Sequence, residues 1–195
     1  MSESTLFTRR SLITRTGQLS LSAGALALLA GNESLAGKQL SAAGGNDVAI
    51  LNVALGLEHE AIAAYQIGAE SGLLQKPVLD VAVLFQSQHK GHRDALVATI
   101  EKLGGKPVMA MTADEYTKSA KLKVSSIRSQ GDVLMLAQRL DLGAVNAYLG
   151  VIPAFGDREL AKVAGRLAAD ETMHYTALTQ AMGAALPNAA LSYGA

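Results

Sequence analysis

Two nine-residue stretches of this 195-residue chain decide its fold, LEHEAIAAY at residues 57–65 and LDLGAVNAY at residues 140–148. Both follow the pattern Leu-acid-x-x-Ala-x-x-Ala-Tyr. Two shorter stretches, HKGH at residues 89–92 and ETMH at residues 171–174, each place a histidine three residues after a residue that can bind a metal. The acid of the first stretch precedes HKGH by 31 residues, and the acid of the second precedes ETMH by 30. Two matches at nearly equal separation indicate a duplicated helical hairpin.

Each of the four stretches lies in a long segment with helical periodicity. Hydrophobic residues make up 49% of the chain and aromatic residues only 4%, a composition that favours helices packed on helices over a sheet. Pro77 suits a first helical position, Pro153 should bend or fray the third helix, and Gly183 should close the fourth. The predicted helices cover about residues 47–70, 77–104, 132–155 and 158–182.

The connections between these helices differ in length. The first and second helices are joined by a few residues, as are the third and fourth, so each pair should be an antiparallel hairpin. Residues 105–130 separate the two hairpins and carry a capping-box signature at residues 112–115 for a short extra helix. We therefore predict an all-α four-helix bundle over residues 47–183, made of two hairpins joined by a long crossover, with a C-terminal tail at 184–195.

The first residues have the features of a targeting segment. Thr8-Arg9-Arg10-Ser11 followed by two apolar residues is typical of a twin-arginine export signal, and the next stretch is too short and too weakly apolar to span a membrane. We expect residues 1–36 to be this signal and the start of a linker, and residues 37–46 to be the linker. The protein should be periplasmic or otherwise exported, without stable membrane insertion after cleavage. A disordered basic tail or an uncleaved anchor is the alternative.

Composition excludes several classes of function. The chain has no cysteine, which rules out disulfides, thiolate zinc sites and cysteine-ligated clusters. The formal net charge is zero and no stripe of Lys or Arg is present, so we expect no nucleic-acid partner. Homodimerisation through alanine-rich faces stays open.

Polar residues interrupt the apolar face of every predicted helix near its middle. On the second helix the buried stripe is expected to include Phe85, Leu96, Ile100 and Leu103 on either side of the two histidines. A buried carboxylate without a partner is costly, and a cation relieves that cost by binding oxygen and imidazole ligands. We predict one shared metal site built from Glu58, His89, His92, Asp141, Glu171 and His174.

Each of these residues alone could be a surface or core side chain, so the prediction depends on their combination. Tyr65 and Tyr148 lie two turns from the acids and are either core aromatics or hydrogen-bond donors to ligand carboxylates. Glu60 and Gln88 lie one or two positions off the stripes and are expected to face solvent, unless a different helical register brings either of them inward.

With these motifs the chain resembles the ferritin-like superfamily, particularly the bacterial exported ferritin-like domains, over about residues 47–183. In its di-iron and di-manganese members, two helices each give a carboxylate and two give Glu-x-x-His. The resemblance implies that Glu58 and Asp141 are the single carboxylates, that Glu171 and His174 form one Glu-x-x-His pair, and that His92 is the histidine of the other. His89 stands where the family usually has glutamate.

This departure affects which metal is expected. Three carboxylates give the ligand set a charge of −3 rather than the usual −4, so a single metal, an asymmetric pair or zinc gains support. The resemblance implies one or two divalent ions, iron or manganese first and zinc as the alternative. The leading hypothesis is a di-metal carboxylate oxidoreductase that reacts with dioxygen or peroxide, as a ferroxidase or peroxide scavenger. A non-catalytic zinc or single-metal bundle and a metal-free stress or interaction protein are the alternatives, and no iron-storage cage is expected.

Overall fold

Five α-helices account for most of residues 43–194, which are the residues that the computed structural model describes, with side chains from residue 46 onward. They are α1 (Ala43–Glu70), α2 (Lys76–Lys102), α3 (Ala113–Lys118), α4 (Gln130–Val151) and α5 (Arg158–Ala181). Short 3-10 turns lie at Val124–Ser126 and Ile152–Ala154. No strand occurs within this range, so the all-α prediction is confirmed. The predicted export signal lies outside the described residues.

Local sequence signals set most helix ends. Thr112 and Glu115 form the predicted capping box, each accepting a hydrogen bond from the backbone N–H of the other at the start of α3. Ser129 and Asp157 cap α4 and α5 with side-chain oxygens that accept first-turn N–H groups. Gly183 follows α5 with a φ of 66°, a left-handed conformation that glycine adopts without steric cost.

Two helix boundaries differ from the sequence prediction. The first helix begins at Ala43, inside the predicted linker, and Asp47 lies within it rather than at its start. The Asp47 carboxylate instead accepts the backbone N–H groups of Gly156 at 2.8 Å and Asp157 at 3.2 Å, which ties α1 to the loop before α5. Leu103, expected on the buried stripe, is 42% exposed because α2 ends one residue before it.

The crossover between α2 and α4 runs along the bundle. It begins beside Asn52 near the start of α1, where the Asn52 amide bonds the backbone of Lys106 and Val108. It ends where α4 begins, beside the turn between α1 and α2, and there Gln130 accepts the backbone N–H of Gln75 at 2.8 Å. Because the crossover returns the chain to that end, α4 runs antiparallel to α1 and parallel to α2. The two hairpins and the long crossover are therefore as predicted.

The core of the described residues contains four apolar clusters, and the two largest lie on either side of a polar layer. One cluster contains Leu55, Ile100 and Tyr148, and the other contains Tyr65 and Phe85. By length and composition α1 could also cross a membrane, but here its apolar face packs in this core. The polar layer between the clusters holds the candidate site.

Candidate metal centre

The six predicted ligand residues meet in the polar layer. Five of them are at most 1% exposed, and His92 is 8% exposed. The Nδ1 atom of His89 lies 2.8 Å from a Glu58 oxygen and 3.4 Å from a Glu171 oxygen. Its Nε2 atom lies 3.5 Å from Asp141 Oδ1, so the two ring nitrogens of His89 face different carboxylates. One imidazole thus connects the acids of α1, α4 and α5.

The ligand atoms form two overlapping groups. Atoms of the first group all lie within 4.8 Å of one another and come from Glu58, His89, His92 and Glu171. The second group meets the same limit with His89, Asp141, Glu171 and His174. His89 and Glu171 belong to both groups, so the site offers two overlapping candidate positions for an ion.

Several polar atoms in this layer are buried without a hydrogen-bond partner among the described residues. They all belong to the six residues and are His89 Nε2, His92 Nδ1, Asp141 Oδ1, both oxygens of Glu171, and His174 Nδ1. An unsatisfied buried donor or acceptor costs about 1–3 kcal/mol, and more for a charged group. Oxygen and imidazole nitrogen atoms around a common point are the donor set that divalent metal ions take, so these residues fit a metal.

Two tyrosines hold the single carboxylates in place. The Tyr65 hydroxyl donates to Asp141 Oδ2 at 2.7 Å, and the Tyr148 hydroxyl donates to Glu58 Oε1. Burial and the neighbouring carboxylates raise the pKa of both tyrosines, which keeps the hydroxyls protonated as donors. Hydrogen bonds of this kind orient the acids, and leave Asp141 Oδ1 free to bind an ion.

Two outer partners were not predicted from the sequence. Gln88 Oε1 lies 2.6 Å from His174 Nε2, and Asp170 Oδ2 lies 3.2 Å from His92 Nε2. When each Nε2 donates its proton outward, the Nδ1 atom of the same ring is left facing the site. The expectation that Gln88 faces solvent was wrong, because the side of α2 next to the buried stripe packs towards α5.

Glu60 also differs from its expected position. It is 8% exposed rather than solvent-facing, because the crossover covers it and Lys121 pairs with its carboxylate. It belongs to neither ligand group.

Charge within the site is balanced by protonated histidines. Burial alone would raise the pKa of Glu171, but His174, His92 and His89 outweigh burial and lower it to about 2. Burial alone would lower the pKa of His92, but Glu171 and Glu58 raise it to about 10. In the metal-free protein Glu171 is therefore ionised and His92 is cationic at neutral pH.

At His89, the central histidine, neighbouring carboxylates also outweigh the effect of burial on the pKa. Burial alone would lower the pKa of His89, but Asp141, Glu58 and Glu171 raise it well above its ordinary value. The pKa of Glu58 is lowered because His89 and His92 outweigh its burial, whereas burial prevails at Asp141 and raises its pKa. A divalent ion must displace these histidine protons, so metal affinity should rise with pH.

Truncating Asp170 should weaken metal binding without disturbing the fold. Asp170 is exposed and contacts His92 from outside the ligand groups. The Asp170→Ala variant should bind metal about 10-fold less tightly, since outer partners of ligating histidines contribute about 10–100-fold. The measurement is competition titration with a chelator. The control is Asp80→Ala, an exposed aspartate that pairs with Lys76 away from the site. Equal affinities in the two variants would contradict a role for Asp170.

A family model described as the ferritin-like domain matches residues 46–184. The match covers more than half of the chain and includes every helix that contributes to the site. The chain therefore belongs to the ferritin-like domain family, as the sequence motifs predicted.

A solved structure supports the same fold. The crystal structure of a conserved hypothetical protein, Rv2844, from Mycobacterium tuberculosis is similar to this chain with a TM-score of 0.63 and 23% sequence identity. The similarity covers 77% of this chain and 99% of that one. At this identity the likeness concerns the fold alone. No curated protein matches the chain significantly.

Proposed function

We propose that this protein binds two divalent metal ions, iron or manganese, in its bundle and uses them in redox reactions with dioxygen or peroxide. The observation that carries the proposal is the set of buried, inward-facing ligand atoms that have no hydrogen-bond partner among the described residues. Bound iron or manganese would supply one-electron redox chemistry and a coordination position for a small oxidant. The chain itself supplies binding, orientation and exclusion of water.

The two positions differ in how many protein ligands they offer. His89 Nδ1 donates to Glu58 at 2.8 Å, which leaves Nε2 as its free ligand atom beside Asp141. The position near Asp141 therefore has His89, Asp141, Glu171 and His174. The position near His92 has Glu58, Glu171 and His92, which is one protein ligand fewer. This asymmetry supports binding of the oxidant on the His92 side.

The apolar clusters on either side keep bulk water from the site. The Phe85 ring stacks on His174 with a centroid distance of 4.1 Å, and the Tyr65 ring lies 5.2 Å from that of His89. These contacts fix the imidazole planes and surround the ligands with a medium of low dielectric constant, in which charges interact more strongly than in water.

Exposing the iron-loaded protein to air tests the redox proposal. Protein loaded with Fe(II) under argon should develop Fe(III) absorbance and consume oxygen on exposure to air. The Asp170→Ala variant, with a weakened His92 side, should react more slowly at limiting iron. Absence of both the absorbance change and oxygen uptake in iron-loaded wild-type protein would reject the redox function.

A non-catalytic metal protein is the second candidate, and the histidine in place of a glutamate favours it. Three imidazoles and three carboxylates suit zinc, which prefers nitrogen more than iron or manganese does. Isolated protein that contains only zinc, with a melting temperature lowered by a chelator and no oxidase activity, would support this candidate. A metal-free interaction protein would tolerate His174→Ala and Glu171→Ala without loss of stability or function.

We also propose that the protein is exported already folded, which the twin-arginine-type motif at residues 8–11 supports. The cytoplasm would then determine which ion enters the site. Metal content of protein isolated from its native compartment tests both points.

A further inference from the structure

A narrow cavity of about 110 Å³ lies between α1 and α4 and reaches the candidate metal centre. Glu58, His89 and Tyr148 form its inner end. No residue of α5 lines it, so it approaches from the side opposite the Asp170–His92 and Gln88–His174 pairs. It is thus a second route to the ligands, and no part of the proposed redox function uses it.

The walls of this cleft are apolar between its inner end and its rim. They include Val53, Leu57, Leu140, Ala147 and Val151. Water finds few hydrogen-bond partners in such a space, whereas an alkyl chain gains about 25 cal/mol of free energy for each Å² of apolar surface that it buries. The walls therefore favour a molecule with an apolar tail.

Two cationic side chains lie at the rim. Lys121 is paired with Glu60, so its charge is already compensated. Arg139 is exposed, and within residues 46–194 its guanidinium forms no hydrogen bond or ion pair. A free guanidinium beside an apolar cleft complements an anionic head group, and Arg binds carboxylates in a bidentate manner. The inner end is acidic, since Glu58 lies there, so an anion is favoured only at the rim.

We propose that the cleft binds a small amphipathic carboxylate, with its head group at Arg139 and its alkyl tail directed towards Tyr148 and Glu58. The inference rests on the proposed function in one respect, because it places the end of the tail next to the metal ions. A medium-chain fatty acid has this chemistry. The ligand would bring an apolar carbon chain, not a charge, to the metal centre.

Gly143 offers a way to close the cleft without disturbing the ligands. It lines the cavity on α4, and a side chain built at this position would meet no atom within 4 Å at its Cβ. A leucine here would extend into the space that the alkyl tail would occupy. Gly91 on α2 is a matched control, because its Cβ would also meet no atom within 4 Å and it does not line the cleft.

Calorimetric titration with sodium octanoate and with 1-octanol tests the proposal, using wild-type protein whose metal content is measured in the same sample. Octanoate should bind more tightly than octanol. The Arg139→Gln variant should lower octanoate affinity by about two- to five-fold, the range for an exposed ion pair, and leave octanol affinity unchanged. Gly143→Leu should lower the affinity for both by about ten-fold or more, since the leucine would keep part of the alkyl tail from burying its apolar surface, while Gly91→Leu should bind like wild type.

Metal content separates failure of this inference from failure of the proposed function. Metal-loaded protein that binds no octanoate, or binds octanoate and octanol equally well, would overturn the inference and leave the metal site intact. Unchanged affinity in Gly143→Leu would also overturn it, because the ligand would then lie elsewhere. The wild-type protein could instead fail to hold metal and still bind octanoate, with the expected affinities in the Arg139, Gly143 and Gly91 variants. That result would support carboxylate binding in the cleft and would contradict only the proposed metal function.

Discussion

Glu171→Gln should strongly weaken metal binding at both positions of the site. Glu171 belongs to both ligand groups, and neither of its oxygens has a hydrogen-bond partner among the described residues. Replacing the carboxylate by an amide removes the negative charge and one of the two ligand oxygens, and leaves His89 and His92 facing an uncharged group. Breaking a buried charge interaction costs about 3–5 kcal/mol, so affinity should fall by at least about 100-fold. The measurement is metal content per chain after loading and gel filtration.

Two neighbouring acids should behave differently from Glu171. Asp141 and Glu58 each belong to one group, so Asp141→Asn and Glu58→Gln should each empty one position and keep the other. Asp47→Asn is the matched control, because Asp47 is also buried, at 4% exposed, but bonds only the loop before α5. It should retain the full metal content. Loss of metal from Asp47→Asn to the same extent as from Glu171→Gln would mean that the losses reflect misfolding.

The metal-free protein should be most stable between about pH 4.5 and pH 6.5, with stability falling on both sides. In the folded state the pKa of His92 is raised from 6.5 to about 10. The stability that this shift provides is complete below pH 6.5 and is lost as pH rises towards 10. The pKa of Glu171 is lowered from 4.5 to about 2, so its contribution is complete above pH 4.5 and is lost as pH falls towards 2.

Bound metal should prevent the loss of stability that the metal-free protein shows above pH 6.5. Bound ions replace the histidine protons, so the melting temperature of loaded protein should not fall between pH 6.5 and 8.5. One ion at 100 times its dissociation constant adds about 2.7 kcal/mol, which corresponds to a melting-temperature increase on the order of 10 °C for a domain of this size. Thermal melts of loaded and chelated protein across this range measure the effect. Two results would contradict the assignment of the alkaline loss of stability to His92. One is a metal-free melting temperature that stays constant from pH 6.5 to 9, and the other is a fall in His92→Gln as steep as that in the wild-type protein.

Much of the fold was predictable because its signals are local or repeated. The register of the two Leu-acid-x-x-Ala-x-x-Ala-Tyr stretches placed Glu58 and Asp141 on equivalent inward faces, and the capping box at Thr112 marked the short helix of the crossover. The start of α1 was not predictable in this way. Asp47 looked like a helix-starting residue, but its carboxylate is used by a loop more than 100 residues away in sequence.

The positions of the candidate ligands followed from helical periodicity, whereas their outer partners did not. Tyr65 and Tyr148 each lie two turns from the acid of their own helix, but each hydroxyl donates to the acid of the other helix. Gln88 and Asp170 flank the buried stripes, and whether such residues face solvent or a neighbouring helix depends on the rotation of α2 and α5 about their axes. A sequence specifies that rotation only through the packing of the whole core. The cleft beside Gly143 is likewise a product of how α1 and α4 pack.

The central claim is that two metal ions lie between Glu58, His89, His92, Asp141, Glu171 and His174. Anomalous diffraction from crystals of the protein loaded anaerobically with Fe(II), recorded on both sides of the iron absorption edge, tests it most directly. We predict two adjoining peaks inside the bundle, one beside His92 and Glu58 and the other beside His174 and Asp141, with Glu171 next to both. A crystal of fully loaded protein with no peak among these six side chains would contradict the claim.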